Sequence, residues 1–392
     1  MVAHFTNPRT AASKADLGER GLSQHRGSQA SQRWHLLALA RQITTRKSLR
    51  ICGLFSADNK VKLSLNDKGS VSVAGVYYCG SKICPVCSAR VTASQISTLE
   101  RASKKLLKGK QSAAFLTLTL PHRLGDDLGD LLDALQGAWN SSMSATGGKL
   151  WKSFGKVHYL RALDYTHGIN GHHVHYHCVI YFDRLVTSDE IYWLDLDLRR
   201  RWSRSIRKSL GRDCSHAAVK LDLVREGRSG VGAIVRYVGK ALTGVLLESL
   251  WSQGKLDTRI GGRTIWQILK NSSESHRDKR LWRECEAGFY RRKWLVCSRG
   301  LLKMGEPEPE PEPEVDQEDD LAPEGEPLTC ELSGPLWRTI HRAGKISDFL
   351  CAFERQGFAW TFWSEICNLS LKRFSVKAQV WKNLIQFAPR TL

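Results

Sequence analysis

The sequence GHHVHYHCVIYF, residues Gly171–Phe182, predicts a β-strand that carries a row of histidines. Because successive side chains of a strand point to opposite faces of its sheet, His173, His175 and His177 lie on the same face. Imidazole is a good ligand for divalent metal ions, and three such rings are costly to bury without a partner. The pattern therefore predicts a metal site, with a solvated polar strand face as the alternative.

The residues around this stretch predict an α+β fold. Val157–Thr166 is predicted to pair with the histidine strand across a short turn. The pairing would bring the carboxylate of Asp164 near the histidines as a harder ligand, although it could also be an ordinary strand-edge aspartate. The alternation in AAFLTLTL, residues 113–120, predicts a third strand. Helical periodicity is found at Val91–Lys108, Leu128–Met143 and Ser188–Leu210. We therefore expect an antiparallel sheet with the histidine strand at its centre and helices on one face.

A second candidate motif is Arg236-Tyr-Val-Gly-Lys240. On a helix, Tyr237 and Lys240 are three residues apart and are therefore neighbours. A tyrosine hydroxyl can act as a nucleophile on a phosphate, and a nearby lysine can neutralise the charge on its oxygens. Alone, such a pair is more often a half-buried tyrosine beside a surface lysine, and only the histidine strand upstream favours the catalytic interpretation.

Four cysteines occur in a pattern typical of a zinc site. Cys79, Cys84 and Cys87 form a C-x4-C-P-x-C sequence, and Cys52 precedes them. Four thiolates with no vacant position would make a tetrahedral, structural zinc site. Unpaired buried cysteines are the alternative. The total of eleven cysteines, with no export signal at the N-terminus, favours a reducing, cytoplasmic location over a disulfide framework.

The charge of the chain favours a polyanionic partner. The formal net charge is +20, although Glu306–Glu326 contains eleven acidic residues and no lysine or arginine. The rest of the chain is therefore more basic still, which is typical of proteins that bind nucleic acid. No apolar run is long enough to predict a membrane span.

The order of these motifs resembles plasmid rolling-circle replication initiators of the single-tyrosine type, in the HUH endonuclease superfamily. Phe115–His122 (FLTLTLPH) is similar to the first motif of that family, Asn170–His177 to the second, and Tyr237–Lys240 to the third. Trp294–Leu302 is similar to a common ending of the family's domain. The resemblance covers roughly residues 46–302.

This resemblance implies an enzyme that nicks one strand of origin DNA, single-stranded or in a hairpin, and remains linked to the 5′-phosphate. It implies that His175 and His177 bind a divalent metal ion, Mg²⁺ or Mn²⁺. His173 and Asp164 are the candidates for the remaining position. Tyr237 would be the nucleophile.

Two residues depart from the family's pattern. Ala233 stands where relatives carry a glutamate used in termination, and His172 stands where relatives often have tryptophan. No Walker phosphate-binding loop is present, so a host helicase and a host polymerase are implied as partners. A transposase or relaxase with the same chemistry remains an alternative, as does a non-catalytic, zinc-containing protein that binds nucleic acid.

The sequence predicts five segments, separated by changes in composition. The segment Glu306–Glu314 alternates glutamate and proline, which favours an extended linker. The last segment is rich in tryptophan and phenylalanine, enough for a small helical domain of its own. The predicted segments are a basic disordered arm (1–45), a zinc-binding module (46–108), an HUH nickase domain (109–304), an acidic linker (305–327) and an aromatic-rich helical C-terminal domain (328–392).

Overall fold

The computed structural model describes residues 29–56, 58–65, 69–107, 112–143, 148–224, 262–306 and 329–356. The α-helices there are α1 (Gln29–Ile43), α2 (Lys47–Ile51), α3 (Pro85–Leu106), α4 (Leu128–Met143), α5 (Gly148–Ser153), α6 (Ser188–Leu210), α7 (Ile265–Asn271), α8 (His276–Gly288), α9 (Leu301–Met304), α10 (Gly334–Arg342) and α11 (Ile346–Gln356). The strands are β1 (Lys60–Leu65), β2 (Val71–Ala74), β3 (Ser112–Thr119), β4 (Val157–Gly168), β5 (Gly171–Phe182), β6 (Val219–Leu223), β7 (Leu295–Cys297) and β8 (Thr329–Ser333). None of the described helices has the length and apolar character needed to cross a membrane.

The larger sheet has five antiparallel strands in the order β6-β3-β5-β4-β7. The histidine strand β5 is therefore central, and the prediction of an antiparallel sheet built around it is confirmed. Strands β4 and β5 form a hairpin that closes between Gly168 and Gly171. Gly171 has a φ of 85°, and a Cβ there would lie 2.9 Å from the carbonyl oxygen of Arg123, so this turn favours glycine.

Helices contact both faces of this sheet. On one face, Trp139 of α4 packs edge-on against Tyr176, and Phe289, just after α8, packs against Tyr165. On the other face, which carries the histidines, the hydroxyl of Tyr181 is 2.7 Å from the hydroxyl of Ser103 in α3. The prediction that the helices lie on one face is therefore wrong for α3, which covers one end of the histidine face and leaves the other end to the histidines.

The smaller sheet joins two distant parts of the chain. Its strand order is β2-β1-β8, and Leu63 of β1 pairs with Cys330 of β8. Next to it, Trp34 of α1 contacts Trp337 of α10, with ring centroids 5.5 Å apart. The indole nitrogen of Trp337 donates a hydrogen bond to the carbonyl oxygen of Gly53. Residues 329–356 thus complete the N-terminal module.

These contacts correct two predicted boundaries. The arm predicted as disordered over 1–45 contains α1, whose apolar residues join the core. The described part of the C-terminal segment, 329–356, begins with a strand and packs on the N-terminal module, so it is not a separate helical domain. Pairing between segments this distant leaves no local signal in the sequence.

We expect Trp337→Ala to destabilise the folded protein strongly. The side chain is fully buried, and removing a buried tryptophan costs about 3–5 kcal/mol in lost transfer free energy and cavity formation. Trp193→Ala is the control because its side chain is 65% exposed. The free energy of unfolding, measured in urea, should fall for Trp337→Ala and stay near the wild-type value for the control. Equal midpoints for wild type and Trp337→Ala would contradict the described packing.

Candidate metal centres

Three ligand atoms converge on the histidine face of the larger sheet. Asp164 is directly opposite His175 in the register of β4 and β5, and His177 follows on the same face. The Oδ2 atom of Asp164 lies 3.1 Å from Nε2 of His175 and 3.7 Å from Nε2 of His177, and the two Nε2 atoms are 3.1 Å apart. For metal–ligand bonds of about 2.1 Å, adjacent ligands of an octahedral ion are about 3 Å apart. These three groups therefore fit one divalent ion.

The protonation of two of these groups suits metal binding. Burial, together with the charge of His175, lowers the pKa of His177 to about 4, so its imidazole is neutral at neutral pH. Burial opposes ionisation of Asp164, but the hydrogen bond from His175 and the charges of both histidines outweigh it, and its pKa lies below the usual value. A neutral imidazole and an ionised carboxylate are the forms that bind metal ions.

Two side chains of strand β3 contact the ring of His177. The hydroxyl of Thr117 is 3.3 Å from Nδ1 of His177, and Phe115 stacks on the same ring, with centroids 5.6 Å apart. A hydrogen bond at Nδ1 fixes the ring and leaves Nε2 free to face the metal position. Thr117 lies within the Phe115–His122 motif but is not among the site residues predicted from the sequence. The alternating threonines of β3 could have indicated it only once the register with β5 was known.

His173 lies outside this group of ligands. Its Nε2 is 3.2 Å from the hydroxyl of Thr119, and its Nδ1 is 3.5 Å from that of Thr166. The ring is stacked between those of His122 and His175, at centroid distances of 4.9 and 4.7 Å. Of the two candidates for the remaining position, the structure brings Asp164, and not His173, to the histidine pair.

The third motif cannot be placed relative to this centre. Tyr237, Lys240 and Ala233 lie in residues 225–261, outside the described residues. The described chain resumes at residue 262, and Arg263 exchanges two backbone hydrogen bonds of 2.8 Å with His167 of β4.

The second candidate centre consists of the four predicted cysteines. The Sγ atom of Cys52 is 3.7 Å from that of Cys84 and 3.5 Å from that of Cys87, and the Sγ atoms of Cys79 and Cys87 are 3.7 Å apart. Four thiolates around a tetrahedral zinc ion with bonds of 2.3 Å are separated by about 3.8 Å. All four ligand atoms lie within 4.8 Å of one another, so the group fits a zinc ion.

Local structure brings the four thiols together. Cys84 precedes α3 as its N-cap, and its Sγ accepts a hydrogen bond from the backbone nitrogen of Cys87. The backbone nitrogen of Cys79 donates similarly to Sγ of Cys52. Hydrogen bonds from the other three cysteines lower the pKa of Cys52. The guanidinium of Arg41 bonds to the carbonyl oxygen of Cys52, which places a positive charge beside the thiolates.

Comparison with known protein families matches residues 70–327 to the Rep_1 family of replication proteins. The match covers well over half of the chain and includes the larger sheet, so the chain belongs to this family. Comparison with curated proteins and with solved structures gives no match. Membership supports a role in initiating plasmid replication, and such a role implies binding of origin DNA.

Proposed function

We propose that this protein initiates rolling-circle replication by nicking one strand of plasmid origin DNA. The observation that carries the proposal is the convergence of Asp164, His175 and His177 on one face of the larger sheet. Their side chains are 10–15% exposed, so the group lies near the surface of the sheet and not in its core. Carboxylate and imidazole ligands together suit Mn²⁺ or Mg²⁺.

In the proposed reaction the nucleophile is Tyr237, and Lys240 stabilises the negative charge on the phosphate oxygens. A free phenol has a pKa near 10 and is a weak nucleophile at neutral pH. When bound, the divalent ion supplies Lewis acidity towards a non-bridging phosphate oxygen. The Tyr237 oxygen forms a bond to phosphorus and loses its proton to solvent, while the bond from phosphorus to the 3′-oxygen breaks. The 3′-oxygen takes up a proton and leaves as the hydroxyl that a polymerase extends.

The proposed organisation follows the predicted segments, with the corrections described above. Residues 109–304 form the nickase domain, and residues 46–108 form the zinc module together with α1 and residues 329–356. The nickase domain and the module are in contact, since the hydroxyl of Ser103 in α3 is 2.7 Å from the hydroxyl of Tyr181 in β5. A host helicase and a host polymerase would continue replication from the nick. The family match favours replication over transfer or transposition.

Tyr237→Phe tests the proposal. A stem–loop oligonucleotide from the replicon's origin, labelled at its 3′ end, is incubated with protein and Mn²⁺ and separated on a denaturing gel. We expect wild type to form a covalent adduct and Tyr237→Phe to form none, because the variant lacks the attacking oxygen. The variant should bind the same DNA with unchanged affinity, since the basic surface supplies most of it.

Tyr192→Phe is the matched control, because Tyr192 is 57% exposed on α6 and has no proposed role. It should form the adduct at the wild-type rate. An adduct that persists in Tyr237→Phe would show that another residue is the nucleophile. Absence of any adduct with wild type would favour the non-catalytic, zinc-containing DNA-binding protein.

A further inference from the structure

A cleft lies at the turn of the β4–β5 hairpin, on the side away from the metal centre. Its volume is about 350 Å³, within the size range of small-ligand sites. His167 and His172 face each other across the two strands and form one wall, on the opposite sheet face from His175. Helix α8 and the loop before α4 form the other walls. The lining residues used below are Leu124, Asp126, His172, Arg277, Arg280 and Glu284.

Each acidic side chain of the cleft already accepts a hydrogen bond from another group of the protein. Asp126 forms a two-pronged ion pair with Arg212, at 2.6 and 2.7 Å. The carboxylate of Glu284 is 2.9 Å from Nε2 of the buried His172. Asp127 accepts a hydrogen bond from the backbone nitrogen of Asp130 at the start of α4. The ion pair with Arg212 neutralises Asp126, and the other two carboxylates are held by their hydrogen bonds.

Two arginines of the cleft, in contrast to its carboxylates, have no partner among the described residues. Arg277 and Arg280 are one turn apart on α8, and both are exposed. Neither has an ion pair or a side-chain hydrogen bond to any described residue. Two guanidinium groups at this spacing can bind phosphates, and their planar arrays of donors suit phosphate oxygens.

Two exposed apolar side chains are Leu124 of the lining and Ile169, which lies in the chain between the lining residues His167 and Gly171. Leu124 is 66% exposed, and Ile169, at the turn of the hairpin, is 90% exposed. Exposed apolar groups beside unpaired cations match the chemistry of a nucleotide, which has a flat base and an anionic phosphate. Apolar side chains of this kind also insert between bases in DNA complexes.

The cleft and the proposed cleavage site lie on opposite faces of the sheet, and the turn of the hairpin lies between them. Four residues separate His175 from Gly171, which corresponds to about 13 Å along a strand. A DNA strand that passes the metal centre therefore reaches the turn of the hairpin within a few nucleotides.

We infer that this cleft binds one unpaired nucleotide of the DNA strand that flanks the cleavage site. Arg277 and Arg280 contact its phosphate and the adjoining one, and the base lies against Leu124 and Ile169. The inference deepens the proposed function and rests on it for the position of the nucleotide relative to the nick. Binding of DNA in the cleft can be tested in experiments that do not depend on cleavage of the DNA.

The first test measures the salt dependence of binding to a fluorescent oligothymidylate, by anisotropy and in the presence of chelator. Affinity falls as salt rises, and each lost contact to a single-stranded phosphate reduces the magnitude of the slope of log affinity against log salt by about 0.7. The double variant Arg277→Gln/Arg280→Gln should therefore reduce the magnitude of the slope by about 1.4. Arg204→Gln/Arg342→Gln removes the same charge from exposed positions outside the cleft and should keep the wild-type slope. Equal slopes in all three proteins, or an equal fall in the control pair, would overturn the inference.

The second test locates the base. Stem–loop origin oligonucleotides with a single 5-iododeoxyuridine at successive positions near the nick are irradiated with the protein, and the adducts are mapped by mass spectrometry. We expect one position to crosslink within residues 124–127, 167–172 or 277–284, with a lower yield in Ile169→Asp. Crosslinks confined to other residues would overturn the inference.

The results can contradict the proposed nicking activity and the proposed nucleotide cleft independently of each other. If wild type nicks DNA but the arginine variant keeps its salt slope and no crosslink reaches the cleft, only the cleft assignment fails. If wild type never nicks DNA but the slope and crosslinks change as expected, the cleft binds nucleic acid and the proposed nicking activity fails. Matching circular dichroism spectra and melting temperatures for all variants exclude loss of folding as the cause.

Discussion

His177→Ala should lower the nicking rate about a thousandfold, while the affinity for origin DNA changes little. The variant loses one of the three ligand atoms that lie 3.1–3.7 Å apart. A metal ion that polarises a phosphoryl oxygen is worth several kcal/mol in the transition state, and about 4 kcal/mol corresponds to a factor of about a thousand in rate. The DNA affinity should persist because it comes mainly from the basic surface.

The measurement is the single-turnover nicking rate as a function of Mn²⁺ concentration. Chelator should abolish nicking by wild type, and Mn²⁺ or Mg²⁺ should restore it. Asp164→Asn should behave like His177→Ala, because it removes the anionic ligand. His216→Ala is the control, since His216 is exposed and distant in sequence from the cluster. A wild-type rate for His177→Ala at low Mn²⁺ would be incompatible with the proposed centre.

His173→Gln should have a smaller effect than His177→Ala. His173 bonds to two threonines and is stacked on His175, so it acts on the orientation of a ligand instead of binding the metal itself. Loss of such a supporting group typically costs about 10–100-fold in metal affinity or activity. The expected signature is a higher Mn²⁺ requirement with nicking restored at saturating Mn²⁺. A loss of nicking as complete as that of His177→Ala, which added Mn²⁺ does not reverse, would make His173 a ligand.

Cys84→Ser should prevent stable folding of the N-terminal module. Structural zinc sites contribute about 10–16 kcal/mol in small zinc-binding peptides, which matches or exceeds the whole stability of a typical domain. Cys84 is fully buried, and as N-cap of α3 it also accepts a hydrogen bond from the helix. Because serine is also a favoured N-cap residue, Cys84→Ser removes the zinc ligand and leaves the cap of the helix in place.

Zinc content by mass spectrometry and folding by circular dichroism check this expectation. Wild type should hold one zinc ion per chain, and Cys84→Ser should hold almost none and lose helical signal. Cys214→Ser is the matched control because Cys214 lies outside the cluster. A well-folded wild-type preparation without zinc would refute the zinc assignment.

The sequence was most informative where local signals agree. The helices Leu128–Met143 and Ser188–Leu210 have the predicted bounds. In the second helix, Thr187 and Glu190 form a capping box at the start, and Gly211 ends it with a φ of 65°, so periodicity and caps indicate the same limits. The grouping of Asp164 with the histidines also follows from local pattern, because a short turn fixes the register of a hairpin.

Features that depend on distant contacts could not be predicted in this way. The position of α3 on the histidine face depends on its packing against Tyr181. The pairing of β8 with β1 joins residues more than 260 positions apart, and the sequence of neither strand indicates which strand it pairs with. The support of His177 by Thr117 becomes visible only when the order of β3 and β5 in the sheet is known.

The pairing of β1 with β8 also has a consequence for synthesis of the chain. The ribosome makes β8 about 264 residues after β1, an interval of about 13–53 s at 5–20 residues per second. During that time one edge of β1 has no partner, and unpaired edges attract other chains. Lys60 and Lys62 are exposed on this strand, and lysines at an edge oppose such association. The module that contains β1 is therefore completed only after the whole of the larger sheet has been synthesised.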